Sequence, residues 1–374
     1  EVQAEAAAFG LSVEAVADSL ELLQASIDVA SASGLEAERL EALAYRIGAL
    51  RAWIEVLQGA EPGFEEEARR ILGVRPRRFP VEELDPFVAA VEEAFPGPLA
   101  PRVGARMAGL AVPEDRREAV FRRALAACRE RTREHLELPE AEAIEVVFTD
   151  TVPSTAAYFY RGDYRGLMLV NPAAVNMQSV LHLACHEGYP GHHVYYVLRE
   201  AHLGDRGWPE LELGTLFEPS RVLVEGLADY GPELAFPEEE QLRLLREELL
   251  PLAGLDPDAA EAIVTVGRFF ADGIKRYQAF EVSRAYLDGA SSLEEAMAFR
   301  TRYGFPPPNP QEVEGFRGFL DDFRTLPVAY PAGEDLVRAR VEASGEDLAA
   351  RWAAFRELNV ALATPELMAG APEE

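Results

Sequence analysis

The sequence predicts a mainly α-helical protein with one small β-sheet set beside a helix that carries a cluster of histidines. Three observations lead there. Apolar residues recur at helical spacing from residue 1 to about 140 and again from about 177 to the end. Between them, "AIEVVFTDTVPSTAAYFYRGDYRGLMLVNP" (143–172) switches to short runs rich in β-branched and aromatic residues. Directly after it, "LHLACHEGYPGHHVYYV" (181–197) holds four of the six histidines of the 374-residue chain.

The first helical stretch is punctuated by Pro and Gly at "AEPGFEE" (60–66), "RRFPVEELDP" (77–86) and "FPGPLAPRVG" (95–104). It reads as a helical scaffold over 1–140. The sheet candidate contains three strands, Ile144 to Phe148, Ala157 to Tyr160 and Leu167 to Val170, with Gly162, Asp163 and Gly166 turning the chain between the last two. Together with the helices that follow it, the sheet forms a metal-site region over 141–250. A helical C-terminal region, 251–374, completes one compact unit of two lobes. Breaks at "GDRGWPE", "FPEEE", "GLDPDA" and "FPPPNP" separate its helices and those before them, and one helix near 292–303 shows a capping box, Ser292 with Glu295, and a terminating Gly304.

Composition narrows the partners. The formal charge is −29, from 65 acidic and 36 basic residues, which opposes binding to nucleic-acid backbones and to anionic membranes. No apolar run reaches the roughly 18 to 20 residues of a membrane span, and "EVQAEAAAFG" does not show the order of a signal peptide. The first residue is not Met, so an export signal removed earlier stays open. Cys128 and Cys185 are the only cysteines; Cys128 falls at helical spacing with Phe121, Ala124 and Leu125 and reads as a buried small apolar residue. No disulfide framework is needed at this length, and a cytoplasmic, reducing location is expected.

The histidine cluster carries the chemistry. His186 and Glu187 resemble the start of H-E-x-x-H, in which histidines at i and i+4 bind zinc and the Glu acts as general base. Here position i+4 is Pro190. On an unbroken helix His192 would lie about 9 Å farther along the axis and on another face, and His193 about 10.5 Å away. Neither could share an ion with His186, because zinc takes nitrogen ligands at about 2.0 to 2.1 Å. Pro190 and Gly191 break the helix, and removal of the pair on paper leaves H-E-G-Y-H, with His192 as the second ligand. His193 is the alternate, and His182 with His186, at i and i+4, is a further possible pair.

A third protein ligand is expected in "RVLVEGLADYGPEL" (221–234), where Glu225 and Asp229 lie at i and i+4. The pair looks like the Glu ligand and histidine-orienting Asp of thermolysin-type proteases, which makes Asp229 the residue that fixes an imidazole tautomer. His135 and His202 read as ordinary packed residues. The ligand set accepts zinc, with manganese or cobalt as alternatives.

These residues resemble a known family, the bacterial proteins grouped as domain of unknown function 885, predicted metallopeptidases marked by His-Glu-x-x-Pro-Gly-His-His. That signature stands here as "HEGYPGHH" (186–193), and "VEGLADY" (224–230) is similar to the family's second signature. The segment "AAYFYRGDYRGLMLVNP" (156–172) is similar to the strand and Asn that precede the motif. Resemblance extends over roughly 145–235. A later Pro-Gly-Gln-Ala…Tyr element has its nearest counterpart in "LPVAYPAGEDLV" (326–337), without the Gln.

The resemblance implies a gluzincin-like helical peptidase fold and a zinc-dependent hydrolase of peptide bonds acting on short peptides. In that reading His186, His192 and Glu225 hold the metal, Glu187 is the base, His193 or Tyr330 donates to the developing oxyanion, and the strand near Leu167 to Val170 aligns the substrate backbone. Three rivals stand beside it: an amidohydrolase acting on a non-peptide substrate, a metal-binding helical protein without turnover, and a structural protein in which the histidines form a packed polar network.

Overall fold

The computed structural model describes residues 12–30, 36–95, 110–152, 155–211 and 213–369. The expected break at 95–104 lies almost wholly outside them, as does the N-terminal decapeptide. The longer helices include α1 (Val13–Ala30), α2 (Ala37–Leu57), α3 (Arg117–His135), α5 (His192–Leu203), α6 (Pro219–Ala235), α7 (Ala329–Glu342) and α8 (Leu348–Val360), and the shorter α4 (Val180–Glu187) leads into α5. The strands are β1 (Ala143–Phe148), β2 (Ala156–Tyr160) and β3 (Arg165–Val170). The fold is therefore mainly α with a small sheet, as the sequence predicts. The helix expected near 292–303 runs as α-helix over Leu293–Met297 and as 3-10 helix over Ala298–Tyr303; its Ser292–Glu295 capping box forms, and Gly304 ends it at φ 75°.

The sheet order is β1-β3-β2, with β1 parallel and β2 antiparallel to β3. Asp163 and Tyr164 take positive φ beside Gly162 and close the β2–β3 hairpin. This order corrects one expectation. β3, which carries Leu167 to Val170, is paired on both sides and has no free edge for a substrate backbone; β2 is the edge strand next to the helices of the site.

Helix α3 buries Val120, Phe121, Ala124 and Cys128, and Phe121 meets Phe148 of β1 edge to face at 5.8 Å. Cys128 is not a free core residue. It forms a disulfide with Cys185 of α4, across 57 residues of chain, so the packing partner of α3 is fixed covalently. The helical pattern around Cys128 was right; the pairing lies in tertiary structure that spacing does not encode.

The apolar clusters cross the boundaries at 140 and 250. One joins Leu110–Leu136 to residues of β2, β3, α4, α5, α6, α7 and α8. Another joins Ala52, Phe64 and Leu84 to Val222, Phe280, Val328 and Met368. The N-terminal helices and the C-terminal region thus share these cores, beside one smaller cluster within each, around Ile47 and around Leu293.

Close helix contact sets the frame of the site. A Cβ on Gly226 of α6 would fall 2.2 Å from the backbone of Gly333 in α7, and one on Gly333 would fall 2.1 Å from the Val222 carbonyl oxygen. Only glycine at both positions lets these helices cross backbone to backbone.

Candidate metal centre

Helix α4 ends at Glu187 and α5 begins at His192, so the helical path is interrupted over residues 188–191. The Gly191 amide donates to the Cys185 carbonyl at 3.1 Å, and a Cβ at Gly191 would sit 1.8 Å from the His186 carbonyl oxygen. The backbone folds back onto the last turn of α4, a path that any side chain at 191 would block. This brings the rings of His186 and His192 to 4.6 Å between centroids, at 81° to each other. Pro190 packs against α6, where a Cβ on Gly231 would meet it at 2.9 Å.

Glu225 of α6 completes the group. Its Oε2 lies 3.5 Å from His186 Nε2 and 3.6 Å from His192 Nε2, and one donor atom from each of the three residues lies within 4.8 Å of the others. All three are buried. Ligands at about 2.05 Å around a tetrahedral ion stand roughly 3.3 Å apart, so the separations suit zinc. Among the described residues nothing donates a hydrogen bond to the buried Glu225 Oε2, and a buried acceptor without a partner is expensive unless a cation faces it. The residues fit the metal.

Asp229, one turn beyond Glu225, accepts from His186 Nδ1 at 2.7 Å. That bond leaves His186 Nε2 as the free donor atom, the role expected of Asp229. His182 Nε2 lies 3.3 Å from the same Asp229 oxygen, and His182, His186 and Asp229 form a second group within metal-binding distance. His182 is 40% exposed at the cleft, and Asp229 is committed to the imidazole of His186. The group with His192 and Glu225 is fully buried and has the unpartnered acceptor.

Burial pushes the Glu187 carboxyl up to about 7; the nearby His186 draws it down and the Glu225 charge adds to the rise. Burial holds His192 down to about 3. For Asp229, burial favours the neutral acid, but His186 and His182 outweigh it and keep the carboxylate ionised. Glu225 is likewise kept below its usual range against burial, chiefly by Arg221.

Arg221 was not foreseen from the sequence. It pairs with Glu225 Oε1 from one turn earlier on α6, and Glu225 and the Tyr330 oxygen hold it charged against burial. The i to i+4 spacing in "RVLVE" is a signal that could have found it. Tyr330 of α7 stacks on His186 with 6.4 Å between centroids; the Gly226–Gly333 contact delivers it there.

His193 stands elsewhere. It is fully buried; its Nε2 lies 3.1 Å from Glu142 Oε2 and its Nδ1 2.8 Å from the Tyr158 hydroxyl. Both nitrogens are engaged away from the cleft, which corrects the expectation that His193 is an oxyanion donor or an alternate ligand. Burial lowers its basicity, so the neutral ring donates from Nε2 to the carboxylate and accepts from Tyr158. Glu142 Oε1 also accepts from Arg129 and Arg133 at 2.7 Å each, and Tyr189 donates to Oε2. No spacing in the sequence ties Glu142 to the motif. His202 caps its own helix through the Leu198 carbonyl, and His135 stacks on Trp352 at 4.8 Å.

The centre opens on a cleft of about 790 Å3. One part of its lining is the edge strand β2, from Ala156 to Phe159; another includes residues of Gly267–Ala279, partly π-helical, with Phe316 and Phe319. His182, His186, Glu187, His192, Glu225 and Tyr330 all reach it.

No family model matches the chain, and no curated protein matches it. Among solved structures, the chain is similar to one described as a lipoprotein from Colwellia psychrerythraea, with a TM-score of 0.59 at 15% identity over 89% of this chain. The match spans 62% of the length of that protein. At this identity the likeness shows the shared mainly helical fold alone.

Proposed function

We propose that this protein is a zinc-dependent hydrolase of peptide bonds that acts on short peptides, similar to the metallopeptidases its motifs resemble. The observation that carries the reading is the buried His186, His192 and Glu225 group, with a buried Glu187 beside it, at the floor of a cleft bordered by an open strand edge. A bound zinc ion would polarise a water and lower its pKa towards neutrality. Glu187, with a carboxyl pushed up to about 7, suits a base that accepts a proton near neutral pH and passes it to a leaving amine. Tyr330 beside His186 and Arg221 beside Glu225, both lining the cleft, are donors available to a developing oxyanion. Among the described residues β2 pairs with β3 alone, so the outer edge of Ala157–Tyr160 offers backbone groups to an extended substrate, and the cleft has the size of sites that enclose small ligands, about 300 to 1,000 Å3.

Among the described residues, no helix is long and apolar enough to cross a membrane. The Cys128–Cys185 disulfide fits an oxidising compartment better than the reducing cytoplasm that the sequence suggested.

The test is elemental analysis of protein purified without chelator, followed by a peptide-library assay of wild type and Glu187→Gln. About one zinc per chain in both proteins, with cleavage only in wild type, is the expected result. Metal without cleavage removes the enzyme reading, and no metal after reconstitution with zinc, manganese or cobalt removes the site.

A further inference from the structure

A second cavity, of about 210 Å3, lies behind the metal centre between α2, α5 and the start of α6. Arg221 and Tyr196 line both this cavity and the cleft, so they form the wall between the two. In a chain of formal charge −29 its lining is cationic, with four arginines against two glutamates.

Most of those charges are already matched. Arg39 makes a bidentate pair with Glu210, at 2.6 and 2.9 Å. Arg46 pairs with Glu218 and donates to the Glu210 and Leu213 carbonyls. Arg221 is matched by Glu225 on the cleft side. Arg199 differs. It donates to the Ala361 carbonyl at 2.9 Å and lies over the Tyr195 ring, but among the described residues it has no carboxylate partner. Two more groups of the lining are incomplete: Arg221 Nε and Thr215 Oγ1 are buried without a hydrogen-bond partner among the described residues. Buried donors left unpaired cost stability, so their presence in one cavity points to something that accepts from them.

We propose that this cavity binds a small carboxylate. One uncompensated cation calls for a monoanion, whereas a phosphate dianion would need a second. The two orphaned donors, with Arg199, match the two oxygens of a carboxylate. Leu43, Leu216, Val224 and Leu362 give the rest of the lining an apolar character, and the volume suits an acid with a short hydrocarbon tail. Because Arg221 faces Glu225 from the wall, an anion at its Nε adjusts how tightly the guanidinium holds that carboxylate. The site is thereby coupled to the metal centre; this coupling, unlike the binding itself, rests on the metal reading.

The experiment is calorimetric titration of the full chain with sodium acetate and sodium butyrate, at constant ionic strength in a sulfonate buffer. One saturable site per chain is expected, tighter for butyrate, and weakened at least tenfold by Arg199→Gln and by Thr215→Val. The second variant removes only a buried, unpartnered hydroxyl and so guards against misfolding of the first. In zinc-loaded protein, saturating butyrate should shift the zinc dissociation constant severalfold, and Arg199→Gln should abolish the shift. No saturable binding, wild-type affinity in both variants, or preference for phosphate or chloride would overturn the proposal. Butyrate binding in protein that takes up no zinc would leave the carboxylate site standing and remove the metal centre alone.

Discussion

His192 and His193 are adjacent in sequence and opposite in role. His192 turns to Glu225 in the cleft, and His193 turns to Glu142 behind it. His192→Ala should therefore lose stoichiometric zinc, while His193→Ala should retain it and lower the melting temperature; elemental analysis and calorimetry on the two variants check this. Glu142 is the more costly residue to disturb. Burial alone would raise its pKa, but His193, Tyr189, Arg133 and Arg129 overcome burial and bring it from 4.5 to about 2. A carboxyl depressed in the folded state adds stability that is fully present above pH 4.5 and is lost as pH falls towards 2. The shift corresponds to roughly 3 kcal/mol. Glu142→Gln should destabilise the protein by about that amount at pH 7 and by much less near pH 2.5, measured by urea unfolding at each pH. His186, Glu187, His192, Glu225 and Asp229 were legible as one candidate group because each lies within a short, spaced motif. Glu142 was not, because it reaches His193 across 51 residues through the fold.

At the scale of elements, the helices were legible from periodicity, the capping box from Ser292 and Glu295, and the strands to within two residues at each end. Strand order was not, since a β-strand pattern names a buried face and not a neighbour. The helix break at Pro190 and Gly191 was readable from backbone chemistry alone. The bare crossing of α6 and α7 was not, because a glycine inside a helix signals reduced propensity as readily as close approach. Gly226→Ala places a methyl group 2.2 Å from the Gly333 backbone. The helices must separate, and the expected loss is about 1 to 3 kcal/mol or more. Zinc affinity should fall with it, read by competition with a chromophoric chelator, whereas Gly315→Ala, inside the helix Pro310–Phe323 with nothing within 4 Å of the added Cβ, should leave zinc affinity unchanged and add up to about 1 kcal/mol of stability.

Across the whole molecule, the disulfide ties α3 to the residue that directly precedes His186. Closing a loop of 57 residues should contribute about 2 to 4 kcal/mol. The double variant Cys128→Ser, Cys185→Ser should unfold at correspondingly lower denaturant concentration, and wild type in a strong reductant should move towards it. Chain length and charge described the kind of molecule, but they could not show that the apolar clusters would join its two ends. Two lone cysteines were the available sign of the cross-link, and helical spacing around Cys128 pointed instead to simple burial.

The glycine crossing also limits how the site can vary. Glu225 precedes one of the touching glycines and Tyr330 lies three residues before the other, so the two side chains belong to a single rigid body. Glu225 and Tyr330 therefore keep their distance, and a change in the width of the cleft falls to other parts of its lining, such as the wall at Gly267–Ala279. A designer who wishes to widen the site should cut into that wall and leave the crossing untouched.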